Sequence, residues 1–110
     1  MFSVSKSGEI KLTRGDTARL TVTITDGTGQ PYIVQNDDVV TLTVKKDVKD
    51  TEVLIEKKLT GGDTFHIEPK DTATLDFGKY KYDVQINTAE GEVYTVIPPT
   101  TFELLAEVTV

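Results

Sequence analysis

Carboxylates are the commonest side chains in this chain that could take part in chemistry. The chain has 18 aspartate and glutamate residues, 12 lysine and arginine residues and one histidine. Calcium is bound by six to eight oxygens, but the acidic residues here do not follow a recognisable calcium-loop spacing. Asp71 and Asp76 flank one predicted turn, where short acidic side chains commonly bond to nearby backbone. We therefore expect no metal site and assign most aspartates to turns.

Catalytic residues are also hard to assemble from the sequence. His66 lies between two apolar residues, so alternation places it opposite the apolar face, on the surface of a strand. The three serines all lie within residues 3–7, and the absence of cysteine excludes thiolate nucleophiles, disulfides and cysteine-bound metals. The Gly61-Gly62 pair is not followed by the lysine and helix of a phosphate-binding loop. These features predict a protein that is not an enzyme and has no cofactor.

Arg14-Gly15-Asp16 spells an integrin-binding tripeptide in a predicted turn between two strands. The simpler interpretation is structural, because glycine gives the turn its backbone freedom and aspartate caps it. A tripeptide match alone is weak evidence for adhesion, so we favour the structural interpretation.

The charge of the chain argues against nucleic acid and membranes as partners. The formal net charge is −6, which repels phosphates and anionic lipid surfaces at long range. Lysines gather in residues 45–49 and 57–58, but acidic residues lie within or beside these groups, unlike the continuous basic stripe of a nucleic-acid binder. No apolar stretch approaches the roughly 20 residues of a membrane helix, and residues 1–10 lack the pattern of a signal peptide.

Strict alternation of apolar and polar residues dominates the chain and predicts half-buried strands. The clearest strands cover residues 17–26, 38–46 and 79–88, and all are rich in β-branched or aromatic residues. Weaker alternation predicts strands over residues 9–13, 52–59, 64–68, 92–97 and 101–108. Residues 69–75 could form at most one helical turn.

Turn signals separate these segments. Residues 26–29 and 60–63 contain glycines that can adopt positive φ, and Ala89-Glu90-Gly91 reads as a short hairpin loop. Pro98-Pro99 cannot donate to a β-ladder, so it should break the last strand or move it to another sheet.

The spacing of strands and turns predicts an all-β fold, a two-layer antiparallel sandwich of about seven to nine strands. A chain of 110 residues fits one domain, so we assign residues 1–110 to it, with residues 1–8 as a flexible N-terminal arm.

Leu75, Gly78 and Tyr80 form an L-x-x-G-x-Y pattern that enters the longest alternating strand. With Asp71 and Ala73, this pattern resembles the tyrosine corner of immunoglobulin-like sandwiches, in which a tyrosine hydroxyl bonds to upstream backbone. Antibody domains carry cysteine at the position of Tyr82 and also contain a tryptophan. The chain lacks both residue types, which excludes an antibody-type domain but not the wider architecture.

A broader resemblance covers most of the chain through the segments RGDT, TITDGTGQPY, LTVKK, DTATLDFGKYKYDVQI and GEVYTVIPPTTFEL. They resemble short immunoglobulin-like proteins of prophage structural gene clusters and, more loosely, the N-terminal domains of phage baseplate upper proteins. The resemblance implies a structural protein of a tail or baseplate, assembled in the bacterial cytoplasm and then carried in the virion. It does not identify functional residues.

The expected function is therefore protein–protein contact with other phage structural proteins or with a second copy. Val39 points away from its apolar neighbours and could form an external apolar spot. The last strand, with Phe102, Leu104 and Leu105, is a candidate interaction strand that could pair at an edge with a neighbour. The alternative is a carbohydrate-binding or host-adhesion module, for which Tyr32 and Tyr94 are the aromatic candidates for stacking on sugar.

Overall fold

The computed structural model of the chain describes residues 3–4, 8–25 and 28–106. This part of the chain is almost entirely β-structure. Its elements, in chain order, are β1 Ser3–Val4, β2 Ile10–Thr13, β3 Ala18–Thr21, β4 Ile24–Thr25, β5 Pro31–Tyr32, β6 Val39–Lys45, β7 Ile55–Thr60, β8 Thr64–Ile67, α1 Pro69–Thr72, β9 Gly78–Asn87 and β10 Val93–Leu105. The all-β prediction is confirmed. Most of the predicted N-terminal arm, residues 1–2 and 5–7, lies outside the described residues.

Six strands form one large sheet in the order β1-β2-β10-β9-β6-β7. The central strands β6 and β9 show the alternation of the sequence directly, since every second side chain is buried in the core. β9 pairs antiparallel with both β6 and β10. β6 and β9 are two of the strands whose alternating pattern is clearest in the sequence.

One pairing departs from the expected antiparallel arrangement. β10 pairs with β2 in parallel, with Phe102 opposite Ile10 and Leu105 opposite Thr13. The sheet is therefore mixed, and the prediction of a purely antiparallel fold is wrong. Alternation specifies which side of a strand is buried, but it contains no information about the direction of the neighbouring strand.

The remaining strands form two short pairs, β3 with β8 and β4 with β5. The single strand predicted over residues 17–26 is divided between these pairs, because β3 ends at Thr21 and β4 begins at Ile24. β5, only two residues long, was not predicted. Asp26 and Gly27 of the predicted turn lie outside the described residues, whereas Gly29 has the positive φ expected of this turn, 85°.

Pro98-Pro99 does not break the last strand or move it to another sheet. β10 continues through both prolines beside β9, and its pairing register shifts between Thr95 and Ile97 and again between Ile97 and Thr100. Such irregularities accommodate residues that cannot donate to a ladder. The strand predicted as two segments is therefore one strand of 13 residues.

The candidate interaction strand is not a free edge over its described residues. β10 pairs with β9 on one side and, through residues 102–105, with β2 on the other. Phe102 and Leu104 are buried in the core, and Leu105 alone of the three is exposed. The prediction that these residues offer an edge to a neighbour is wrong, because their backbone ladder is already occupied within the chain. Residues 107–108 of the predicted strand lie outside the described residues.

Buried side chains from the large sheet and from β3 and β8 form one hydrophobic cluster. Among its members, Phe65, Ile67 and Val84 are fully buried. Among the described residues, no helix has the length and apolar character needed to cross a lipid bilayer.

Candidate functional site

The two ends of the large sheet contain the chemically informative groups. We call the end where β9 begins the corner end, comprising Arg14, Gly15 and residues 72–80. We call the end where β9 runs into β10 the cleft end, comprising residues 23–25, 32–38 and 86–96. Opposite ends follow from the strand directions, since β9 runs from Gly78 at one end to Asn87 at the other.

At the corner end, Tyr80 is 4% exposed and its hydroxyl donates to the backbone carbonyl of Asp76 at 2.5 Å. Leu75, half-buried, packs against the core, and Gly78 opens β9 with a φ of 144°. Burial raises the pKa of Tyr80 above its usual value, so the hydroxyl keeps its proton for this bond. The upstream backbone bond expected of Tyr80 is therefore present.

The Arg-Gly-Asp turn packs onto the corner end. Arg14 donates from Nη1 to the Leu75 carbonyl at 3.1 Å, and its guanidinium lies 5.6 Å from the centre of the Phe77 ring. The Gly15 amide, in a residue with a φ of 89°, donates to the buried hydroxyl of Thr72 at 3.0 Å. These contacts give the tripeptide a place in the packing of the corner, which favours its structural interpretation.

Tyr82 lies in the core rather than at the surface. Its ring meets Phe102 edge to face, with ring centroids 6.2 Å apart, and its hydroxyl donates to the Gly8 carbonyl. Burial raises the pKa of Tyr82 to about 12. The bond to Gly8 joins a residue that precedes β2 to the middle of β9.

The residues considered for metal or acid–base chemistry do not come together in the fold. His66 is exposed, as alternation predicted. Asp71 instead forms an ion pair with Lys57, with Oδ2 2.8 Å from Nζ, and accepts the Glu68 amide at 2.7 Å. In the described ranges, no group of three histidine, cysteine, aspartate or glutamate side chains is placed to hold a metal ion.

The cleft end contains a cavity of about 780 Å³ between the β4–β5 pair and the β9–β10 hairpin. This volume lies in the range of small-ligand sites, roughly 300–1,000 Å³. Tyr32 and Tyr94, the two tyrosines singled out for carbohydrate stacking, both line it. The complete lining is Thr23, Ile24, Thr25, Tyr32, Gln35, Asp38, Ile86, Thr88, Ala89, Glu90, Glu92, Tyr94, Thr95 and Val96.

Asp38 is the buried polar centre of this end, at 1% exposure. Its Oδ2 accepts hydrogen bonds from the Tyr32 hydroxyl at 2.5 Å and from the backbone amide of Gln35 at 2.9 Å. Its Oδ1 accepts one from the backbone amide of Ala89 at 3.1 Å. The bond from Tyr32, helped by those from the two amides, lowers the pKa of Asp38. One carboxylate thus joins β5, the start of β6 and the β9–β10 hairpin.

The hairpin presents its acidic side chains to the cavity. Gly91 has a φ of 89°, and Thr88 donates its amide to the Glu92 carbonyl at 2.8 Å, which closes the predicted short loop. Tyr94 is 53% exposed, and its hydroxyl donates to the Glu92 carboxylate. This bond raises the pKa of Tyr94 and keeps the carboxylate beside the ring. Glu90 is exposed next to them.

Sequence reasoning found the two tyrosines but not the carboxylate between the strands. Asp38 follows Asp37 just before β6, and the signal that could have found it is its phase, since it lies two residues before the buried Val40. The structure separates them, because Asp37 is exposed whereas Asp38 is buried. Val39, the expected external apolar spot, is half-buried.

The cleft is therefore an open, acidic and partly aromatic cavity at the end of a β-fold, suited to binding. Comparison with protein-family models gives no match, and no curated protein matches the chain in sequence.

Proposed function

We propose that the chain is a non-enzymatic interaction protein of a phage or prophage particle, built as an immunoglobulin-like two-layer sandwich. The strand order β10-β9-β6-β7 and the separate β3–β8 pair support the architecture. Variable-type immunoglobulin domains have an equivalent order, with strands G, F, C and C′ in one sheet and strands B and E in the other. The hydrogen bond from Tyr80 to Asp76 supports it further, since it has the form of a tyrosine corner.

The observation that carries the interaction role is the cleft. Its tyrosines are 62 positions apart in the sequence (94 − 32), and the fold brings both to one cavity of about 780 Å³. Tyrosine is enriched at binding interfaces because it offers a large apolar surface with one polar end. The partner is another structural protein of the particle, and the resemblance of the segments RGDT, LTVKK and DTATLDFGKYKYDVQI to prophage structural proteins supports this step.

The experiment is to look for the protein in purified particles. The lysogen that carries the gene is induced, particles are banded by density, and the chain is quantified by mass spectrometry against the major capsid protein. We expect a fixed ratio to capsid protein across the band, after assembly in the host cytoplasm. A chain that remains in the lysate while particles band without it would overturn the virion role.

Carbohydrate binding is the second candidate function, and the shared position of Tyr32 and Tyr94 favours it. Aromatic rings can stack on sugars, and four threonines of the cleft (Thr23, Thr25, Thr88 and Thr95) supply hydroxyls for hydrogen bonds. A glycan array probed with the intact chain and with Tyr94→Ala tests it. Binding that Tyr94→Ala abolishes would establish this function, and an array without signal would remove it.

A further inference from the structure

The charged side chains that line the cleft are all acidic. Glu90, Glu92 and Asp38 line it, and its lining contains neither lysine nor arginine. Asp38 already accepts three hydrogen bonds, so it contributes charge to the cavity but has little capacity for a direct ligand. Within the part of the chain that the structure describes, neither Glu90 nor Glu92 has a lysine or arginine at ion-pair distance. The cavity is therefore suited to a cation.

Tyr94 and Glu92 together supply the two contacts that an organic cation needs. The hydroxyl of Tyr94 holds the Glu92 carboxylate beside a ring that is about half exposed. A cation on the ring face gains from the negative π-surface, and the adjacent carboxylate adds an ion pair. Guanidinium combines both contacts well because it is planar, stacks on aromatic rings and donates two parallel bonds to a carboxylate.

The floor of the cleft suits the aliphatic part of such a side chain. Ile24 and Ile86 are buried and Val96 is half-buried, and all three line the cavity. Lysine and arginine bury their methylene stems against apolar surface while the charged head stays near water or an acidic group. Sugar hydroxyls can also donate hydrogen bonds to the carboxylates of Glu90 and Glu92, but only a cation neutralises their charge.

The size of the cavity points to a side chain of a protein rather than a free cation. At about 780 Å³, the cavity has room for a long side chain together with the chain segment that presents it. Arginine is also enriched at interfaces between proteins. We propose that the cleft binds an arginine or lysine side chain presented by a partner protein. This inference rests on the proposed interaction role.

The test uses a capped glycine-arginine-glycine peptide and its citrulline counterpart, which has the same shape without the charge. Each is titrated into the isotopically labelled intact chain, and amide resonances are followed by NMR. We expect the arginine peptide to shift the Ala89 and Tyr94 amides saturably and the citrulline peptide to bind at least about threefold more weakly. Raising the salt concentration should weaken only the arginine peptide, because salt screens the ion pair.

Matched variants locate the effect. Glu92→Gln and Glu90→Gln remove charge from exposed side chains of the hairpin, and we expect each to weaken the arginine peptide by about threefold. Glu52→Gln makes the same change in the exposed loop between β6 and β7, at the opposite end, and should leave affinity unchanged.

Three outcomes would overturn the assignment. These are equal binding of the two peptides, an equal effect of Glu52→Gln, and saturable binding of maltotriose that shifts the Ala89 and Tyr94 amides when the arginine peptide does not. The last outcome would identify the cleft as a sugar site. These outcomes are independent of the particle analysis. If the protein is found in particles but its cleft does not bind the arginine peptide, this inference is overturned while the virion role stands.

Discussion

The two ends of the large sheet use the same residue type in different ways. At the corner end, the Tyr80 hydroxyl donates to the neutral Asp76 carbonyl, four residues upstream. At the cleft end, the Tyr32 hydroxyl donates to the Asp38 carboxylate, six residues downstream. Both bonds are 2.5 Å long and both join a strand to a neighbouring loop. The acceptor differs, since one is backbone and the other is a charge.

This difference shows two ways in which one fold satisfies the polar groups at the ends of its sheet. The corner closes on backbone groups and on the buried hydroxyl of Thr72, so its polar groups are satisfied locally. The cleft closes on one buried carboxylate and leaves a cavity of about 780 Å³ beside it. The charge of Asp38 also makes the electrostatic potential of the cavity negative. The corner is therefore expected to support the fold, and the cleft to support the fold and a ligand together.

The largest expected effect comes from Asp38→Ala. Truncation leaves the Tyr32 hydroxyl and the Gln35 and Ala89 amides without their acceptor, and buried donors without partners are costly. We expect the melting temperature, followed by circular dichroism, to fall on the order of 10 °C. Asp37→Ala, at the exposed neighbouring position, is the control and should melt like the parent chain. Equal melting of the two variants would show that Asp38 does not hold the cleft end together.

A smaller effect is expected at the corner, where Tyr80→Phe removes one neutral hydrogen bond. The free energy of unfolding, measured by urea titration, should fall by about 1 kcal/mol or more, because the partly buried hydrogen bond to the Asp76 carbonyl is lost. Tyr94→Phe removes a hydroxyl from an exposed tyrosine and should leave stability unchanged. If Tyr80→Phe unfolds at the same urea concentration as the parent, the bond to Asp76 does not stabilise the corner.

Local patterns in the sequence predict most of the strands but not how they pair. β6 and β9 follow from alternation, because burial of every second residue leaves a direct trace in residue type. The one-turn helix at Pro69–Thr72 follows from its proline, whose φ suits a helix start. The parallel pairing of β2 with β10 depends on contacts between residues about 90 positions apart, and local pattern does not encode them.

The site was predicted in part for the same reason. Tyr32 and Tyr94 were candidates because exposed aromatics can stack, but their shared cavity is a product of the fold. Alternation in β6 places Asp38 rather than Asp37 on the buried face, but the three donors that surround its carboxylate come together only in the fold. Proximity of Arg14 to Leu75 likewise depends on how β2 lies beside β10, so the docking of the Arg-Gly-Asp turn was not foreseen.

The smallest expected effect is on the pH dependence of stability, which should differ between variants of the two ends at acid pH. Hydrogen bonds from Tyr32 and from the Gln35 and Ala89 amides lower the folded pKa of Asp38 below the 3.8 of an unperturbed aspartate. A lowered pKa gives stability that is present above the unfolded pKa and is lost as pH falls through the folded pKa. The gap in melting temperature between the parent and Asp38→Asn should therefore be constant above about pH 5 and narrow by a few degrees below about pH 4.

The gap between the parent and Tyr80→Phe provides the comparison for this acid series. The hydrogen bond that Tyr80→Phe removes joins two neutral groups, the Tyr80 hydroxyl and the Asp76 carbonyl. The difference in melting temperature should therefore stay constant over the same acid range. Thermal melts of the three proteins in matched buffers measure both gaps at once. If the Asp38→Asn gap stays flat while the parent unfolds, then the carboxylate is not what closes the cleft end. The cleft end would then not differ from the corner end in being held together by a charged acceptor.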